Sequence, residues 1–240
     1  MRPVIGIPLR YQKLNDDRAI IYLSERIRRT VQMAGGFVYP ISPVQNLDNI
    51  HTKGSDFPEL SSEEKEIINI SLDGCDGLMF PGGIKFTPYD RYLLEVAIEK
   101  KIPVLGICLG MQMMSCYNED INLFDVETDI NHYQESDLGF THKVIIDKNS
   151  KLYNIIGEEE ILVNSFHKRS VSENGIYEGK AKSEDGIIEA IEYPGDYFNI
   201  GVQWHPEISY EFDENSKKII DAFIDASTNR MKEKHKIEVI

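Results

Sequence analysis

Apolar positions in the first half of the chain switch repeatedly between short continuous runs and helical spacing. Val4 to Pro8 is a short apolar run closed by proline, which predicts a strand. Ala19 to Ala34 carries Ile20, Ile21, Leu23, Ile27, Val31 and Ala34 at near-helical spacing before Gly35-Gly36, which predicts a helix and its end. Phe37 to Ile41 then predicts a second strand, and the β-α-β order implies parallel pairing through a right-handed crossover. Residues 42–58 turn polar, with His51, Gly54 and two prolines marking a loop. Ser61-Ser62-Glu63-Glu64 opens a capped helix whose acidic first turn opposes the helix dipole. Gly77 to Phe80 predicts a buried strand stopped by Pro81-Gly82-Gly83, and Tyr89 to Lys100 an amphipathic helix with Leu93, Leu94, Ala97 and Ile98 on one face. That helix leads into an apolar strand ending at Cys108.

Beyond Cys108 the alternation gives way to short strands. Leu138 to Ile146, Ile161 to Val163, Ile176 to Ala181, Ile187 to Tyr193 and Phe198 to Val202 are separated by turn signals such as Glu173-Asn174-Gly175 and Glu184-Asp185-Gly186. A last helix from about Ser216 to Met231 carries Ile219, Ile220, Phe223 and Ile224, and a charged tail from Lys232 to Glu238 is expected to fray. The pattern predicts an α/β fold of three layers around a mixed sheet, in one domain covering residues 1–240.

Charge narrows the choice of partner. Against 40 acidic residues stand 26 basic ones, a formal net charge of −14, which repels nucleic acid and anionic membranes. The start, Met1-Arg2-Pro3-Val4-Ile5-Gly6-Ile7-Pro8, is too short in apolar residues for a signal peptide, and no run reaches the ~20 needed to span a bilayer. Cys75, Cys108 and Cys116 have neither disulfide nor metal-ligand spacing, which suits a reducing cytoplasm. The six histidines include no His-x-x-x-His pair, so a structural metal site is not expected.

Two segments carry candidate chemistry. In Val104-Leu105-Gly106-Ile107-Cys108-Leu109-Gly110-Met111-Gln112 a thiol stands between glycines where a strand passes into a helix. Such an elbow lifts the side chain above the sheet and points a helix N-terminus at it, favouring thiolate. Gly201-Val202-Gln203-Trp204-His205-Pro206-Glu207 places an imidazole at a strand end with a carboxylate two residues on, as a base and its orienting acid require. Pro81-Gly82-Gly83 follows a strand in the same way, and parallel sheets gather functional loops at strand carboxyl ends. Taken singly, these are also a core thiol, a structural histidine and a tight turn.

Together, the three segments resemble the class I glutamine amidotransferase-like superfamily, whose fold is flavodoxin-like, with a central mainly parallel sheet. Arg2-Pro3-Val4-Ile5-Gly6-Ile7-Pro8 and Val163-Asn164-Ser165-Phe166-His167 make the chain most similar to the γ-glutamyl hydrolase branch, peptidase family C26, typified by γ-glutamyl-γ-aminobutyrate hydrolase. The resemblance implies Cys108 as nucleophile, His205 as general base and acid, and Glu207 as orienting carboxylate. Gly83 and Leu109 match the oxyanion-hole donors, while Gly82, Gln112 and His167 match positions close to the glutamyl group. It implies a small γ-glutamyl substrate, a cysteine thioester intermediate and no cofactor or metal, and it leaves a homodimer open. Leu109 stands where close relatives carry Arg, and Ser115-Cys116-Tyr117-Asn118-Glu119-Asp120 replaces a Gly-Gly-Thr-Leu-like segment. The first departure is shared with glutaminase subunits that deliver ammonia to a synthase partner, the rival reading. Intact Cys108, His205 and Glu207 oppose a binding protein without catalysis. Trp204, Tyr89 and Tyr117 fit either the leaving-group side of the pocket or packing.

Overall fold

Four neighbouring strands buried along their whole length run through the centre of the molecule, and the site hangs from the carboxyl ends of the three parallel ones. The structure, a computed structural model, describes residues 1–15, 18–45, 59–117, 123–136, 139–172 and 175–237. Residues 46–58 of the predicted loop, Asn118-Glu119-Asp120, Leu138, Glu173-Asn174 and Glu238 fall outside them. Along the chain come β1 (Val4–Pro8), β2 (Arg10–Lys13), β3 (Ala19–Tyr22), α1 (Glu25–Met33), β4 (Phe37–Ile41), α2 (Ser62–Asp73) and β5 (Gly77–Phe80). Next are α3 (Pro88–Glu99), β6 (Val104–Ile107), α4 (Leu109–Ser115), β7 (Leu123–Asp125), β8 (His142–Ile146), α5 (Lys151–Ile156) and β9 (Glu160–Val163). The chain closes with β10 (Arg169–Val171), β11 (Glu178–Ser183), β12 (Ile188–Glu192), β13 (Asn199–Val202), α6 (Pro206–Ser209) and α7 (Glu214–Ile237).

Nine strands form one mixed sheet in the order β4-β1-β5-β6-β13-β12-β11-β8-β9. The first five run parallel, with registers such as Met79 beside Leu105 and Gly201 beside Gly106. From β13 onward every pairing is antiparallel. The two halves read differently because they are covered differently. Strands β5, β6 and β13, and β12 next to them, are buried throughout, whereas antiparallel β8 alternates buried and exposed residues and the edge strand β4 is mostly exposed.

Alternation along the central strands feeds two cores. Met79, Leu105 and Ile107 pack on one face with Ile27, Val31, Ile219, Ile220 and Phe223, from α1 and α7. Leu78, Phe80 and Val104 pack on the other with Leu72, Leu93, Leu94, Met111 and Met114, from α2, α3 and α4. This is the expected α/β/α arrangement. No helix among the described residues is long and apolar enough to cross a membrane.

Two expectations fail at helix ends. The helix predicted from Ala19 begins only at Glu25; Ala19–Tyr22 instead pairs antiparallel with Arg10–Lys13 as an exposed ribbon. Ala-Ile-Ile-Tyr is rich in β-branched and aromatic side chains, and that preference wins once the run has no core to face. The tail predicted to fray stays helical to Ile237, because Lys234 Nζ donates to the Asp73 and Cys75 carbonyls at 3.1 and 3.0 Å and reaches Asp76 Oδ1 at 3.3 Å.

Candidate active site

Cys108 bridges β6 and α4 with φ 52° and ψ −105°, a left-handed conformation that L residues rarely adopt. The surroundings hold it there. Its N–H donates to the Val202 carbonyl at 2.8 Å, and its carbonyl accepts the first helical bond of α4 from Gln112 N at 3.0 Å. Strain of this type, about 1–3 kcal/mol, persists where neighbours over-determine the backbone. Gly110 is required by close approach: a Cβ there would run into the Phe80 carbonyl oxygen at the end of β5. The flanking glycine thus serves the tight strand-to-helix packing. None of the three cysteines is in a disulfide. Cys75 is a core thiol, pushed up to about 12 by burial.

On the neighbouring strand, β13 runs out to His205, the residue before α6. His205 Nδ1 lies 2.7 Å from Glu207 Oε1, and since a carboxylate only accepts, Nδ1 carries the proton and Nε2 is left for Cys108. Burial by itself would lower the imidazole's affinity for a proton. The charges of Glu207 and of the Cys108 sulfur, with hydrogen bonds to both, outweigh it and hold His205 well above its ordinary value of 6.5. Asn164 fixes the histidine's backbone from two sides, accepting from His205 N at 2.8 Å and donating to its carbonyl at 2.9 Å. Phe166 stands edge-on to the imidazole with 5.5 Å between ring centroids.

The Pro81-Gly82-Gly83 loop at the end of β5 completes the row of adjacent strand ends. Gly82 leaves no room for a side chain, since a Cβ would stand 2.8 Å from His205 Cε1 and 3.7 Å from Cys108 Cβ. Arg10, buried at the start of β2, was not anticipated from the sequence. Its guanidinium donates to the Pro81 carbonyl at 2.7 Å and the Gly82 carbonyl at 3.3 Å, and pairs with Asp90 at 2.6 Å. A trans peptide sets its C=O and following N–H on opposite sides, so anchoring the Gly82 carbonyl turns the Gly83 N–H away from Arg10. Leu109 N, at the first position of α4, has no intrahelical acceptor to satisfy.

The expected substrate neighbours are less free than their positions imply. Gln112 is buried, and its amide nitrogen donates to the Arg169 carbonyl at 3.0 Å and to Gln203 Oε1 at 3.1 Å. His167 spends both ring nitrogens inside the protein: Nδ1 on the Arg169 carbonyl at 3.0 Å, and Nε2 within 3.2 Å of His132 Nδ1 and 3.4 Å of Glu189 Oε1. Tyr89 and Trp204 are core residues, with the Tyr89 hydroxyl donating to the Ile41 carbonyl at 2.9 Å. Tyr117 packs at the edge of the second core.

His167 belongs to a cluster that ligand-spacing rules could not detect. His132 and His142 lie 35 and 25 residues before it in the chain, yet with Glu189 on β12 they offer donor atoms all within 4.8 Å of one another. His167 joins them through Nε2, so three of the six histidines meet at Glu189 and scattered spacing was no guide. Burial resists charge on Glu189, but hydrogen bonds from His132, His142 and His167 prevail and keep its carboxyl well below the usual range.

Comparison with known proteins follows the same lines as the geometry. Residues 88–207 match the family model described as Peptidase C26. A putative glutamine amidotransferase of Schizosaccharomyces pombe is 36% identical over 146 residues, covering 59% of this chain and 57% of that protein. The chain thus spans a little over half of that relative's length. A CTP synthase of Rhodococcus jostii is 25% identical over 217 residues, 75% of this chain and 36% of the synthase. Among solved structures, a putative GMP synthase subunit from Thermoplasma acidophilum superposes with a TM-score of 0.64 at 16% identity, covering 98% of this chain and 99% of that one. At that identity the likeness establishes the fold.

Proposed function

Because the chain belongs to the Peptidase C26 family of the class I glutamine amidotransferase-like superfamily, we propose that it is a cysteine hydrolase that cleaves the γ-glutamyl amide bond of a small γ-glutamyl compound. The observation that carries the reading is His205 held to Glu207 at 2.7 Å and facing, across Gly82, a Cys108 fixed at φ 52°. A nucleophile, base and orienting acid in that relation perform acyl transfer.

In the first half-reaction the Cys108 thiolate attacks the γ-carbonyl carbon, and the negative charge moves to the carbonyl oxygen. The Gly83 and Leu109 N–H groups receive that oxyanion, with Arg10 setting the plane of the Gly82–Gly83 peptide. His205 gives its Nε2 proton to the departing nitrogen, the C–N bond breaks, and a γ-glutamyl thioester remains on Cys108. In the second half-reaction neutral His205 takes a proton from water, the hydroxide displaces the thiolate, and glutamate leaves. None of these steps calls for a cofactor.

Replacing the nucleophile tests the reading. Cys108→Ala is expected to lower glutamate release from γ-glutamyl amides by about 10⁴-fold or more while the circular dichroism spectrum stays native. An unchanged rate would remove Cys108 from the mechanism.

One rival has an observation of its own. Leu109 after the nucleophile and the similarity to part of a CTP synthase favour a glutaminase that passes ammonia to a synthase partner. Glutaminase turnover that rises only when a synthase is added would favour the rival. A hydrolase of small γ-glutamyl amides releases glutamate alone and at a rate indifferent to the partner.

A further inference from the structure

We propose that His132, His142, His167 and Glu189 form a structural site for a divalent transition cation of the zinc type, separate from the catalytic triad. Protons on the outward nitrogens carry the argument. His132 Nε2 faces Asp185 Oδ2 at 3.0 Å, and His167 Nδ1 faces the Arg169 carbonyl at 3.0 Å. His142 Nδ1 lies 3.1 Å from the Thr141 hydroxyl, whose own proton goes to the Val163 carbonyl at 3.2 Å. All three outer partners accept. Each therefore holds the outer ring nitrogen as N–H, so that the inner nitrogen is the one free to give up its proton and offer a lone pair.

The inner atoms converge. Glu189 Oε1 lies 3.2 Å from His132 Nδ1, 3.2 Å from His142 Nε2 and 3.4 Å from His167 Nε2, and His132 Nδ1 lies 3.2 Å from His167 Nε2. Without a cation, protons on the inner nitrogens must hold these groups together as hydrogen bonds to Glu189; once those protons leave, three neutral imidazoles and a carboxylate aim four lone pairs at one another. A cation at their centre resolves this. Tetrahedral zinc, with bonds of about 2.0–2.1 Å, sets its donors about 3.3–3.4 Å apart, close to the four separations above, and the His132, His142 and Glu189 donor atoms all lie within 4.8 Å of one another. Imidazole with carboxylate suits zinc, cobalt, copper or nickel better than calcium or magnesium. The outward N–H bonds to a carboxylate and a carbonyl are the supports that metal-bound histidines ordinarily have.

A second observation points the same way. Glu189 is fully buried, and its other oxygen, Oε2, has no hydrogen-bond partner among the described residues. Four protein donors leave no open coordination position, which suits a structural site rather than a catalytic one. Its effect would reach the triad through the backbone. The His132 carbonyl accepts from His167 N at 2.9 Å and from the Ser165 hydroxyl at 2.7 Å. Ser165 lies between Asn164 and Phe166, the two residues that brace His205.

The test uses the full chain carrying Cys108→Ala, so that the triad offers no thiolate to a metal. After stripping with chelator, cobalt(II) is titrated in and then displaced with zinc. The expected result is one equivalent per chain, with the visible bands of tetrahedral cobalt(II), no sulfur-to-cobalt charge-transfer band, and a raised melting temperature. Glu189→Gln and His142→Gln should each abolish stoichiometric uptake. Asp185→Asn, outside the donor set, should keep the stoichiometry with an affinity about 10–100-fold weaker. Failure of the natively folded Cys108→Ala chain to take up cobalt(II) or zinc(II) overturns the proposal and assigns the cluster to protons. Uptake that survives Glu189→Gln and His142→Gln, or that requires Cys108, places the metal elsewhere and overturns it as well. Should those two variants fail to fold, the cobalt spectrum and stoichiometry of the Cys108→Ala chain decide alone.

Discussion

At Gly82 the active site tolerates no side chain. Gly82→Ala would put a methyl carbon 2.8 Å from His205 Cε1, so the imidazole must shift by several tenths of an ångström. Displacements on this scale are worth about 100-fold in rate, and kcat is expected to fall by that order with little change in melting temperature. Arg10 acts at one remove, as a positioning residue. Arg10→Lys keeps a positive charge beside Asp90 but cannot span two carbonyls, so kcat should drop about 100-fold while KM moves little. Arg10→Ala should in addition cost about 3–5 kcal/mol of stability, measured in urea, because a buried Asp90 loses its counter-charge. The raised His205 value has its own signature. A histidine with a folded value above its unfolded 6.5 contributes stability in full below 6.5, and loses it as pH rises through the folded value. Glu207→Gln removes one cause of the rise. The stability gap between wild type and variant should therefore be widest from about pH 5 to 6.5 and close toward alkaline pH. A gap that widens with pH would contradict this assignment of charge. The meeting of Cys108, His205 and Glu207 at adjacent strand ends was legible because an elbow and a strand end are local features. Arg10 and Asn164 were not, since their partners lie 71 and 41 residues away.

Helices and strands were legible where they face a core. The runs of β5, β6 and β13 and the stripe of α7 appear where their spacing places them. Exposed elements such as β3 have no stripe to betray them, and short α5 was not foreseen. The start of α5 is built by a residue from another element. Glu192 on β12 accepts from Lys151 N at 3.0 Å and Leu152 N at 2.8 Å, while Ser150 accepts from Tyr153 N at 2.9 Å. Three N–H groups at the helix start are thus satisfied, two of them by a buried carboxylate aligned with the helix dipole. Hydrogen bonds to a charged group are worth about 1.5–3 kcal/mol, so Glu192→Ala should lower the unfolding free energy by at least that amount. A native-like urea midpoint would show that α5 is held by packing instead.

Across the whole molecule, the change from β-α alternation to clustered strands marked the passage from parallel to antiparallel pairing. What it could not show was where β13 would go. The last strand in the sequence enters at the middle, parallel to β6 on one side and antiparallel to β12 on the other. The histidine cluster was hidden for a similar reason, since its members reach one point only when the sheet is assembled. The position of β13 also bears on how the protein comes into being at the ribosome. Until Val202 has been made, β6 and β12 lack the strand that joins them in the sheet, and any pairing on either side of the gap would leave a bare hydrogen-bonding edge. The β6–β13 pairing sets Val104 beside Asn199, across the longest stretch of chain that any pairing in the sheet spans. His205, three residues beyond Val202, is delivered by the same strand that closes the gap. On the proposed mechanism, the thiol at Cys108 therefore has no base beside it until that strand is in place.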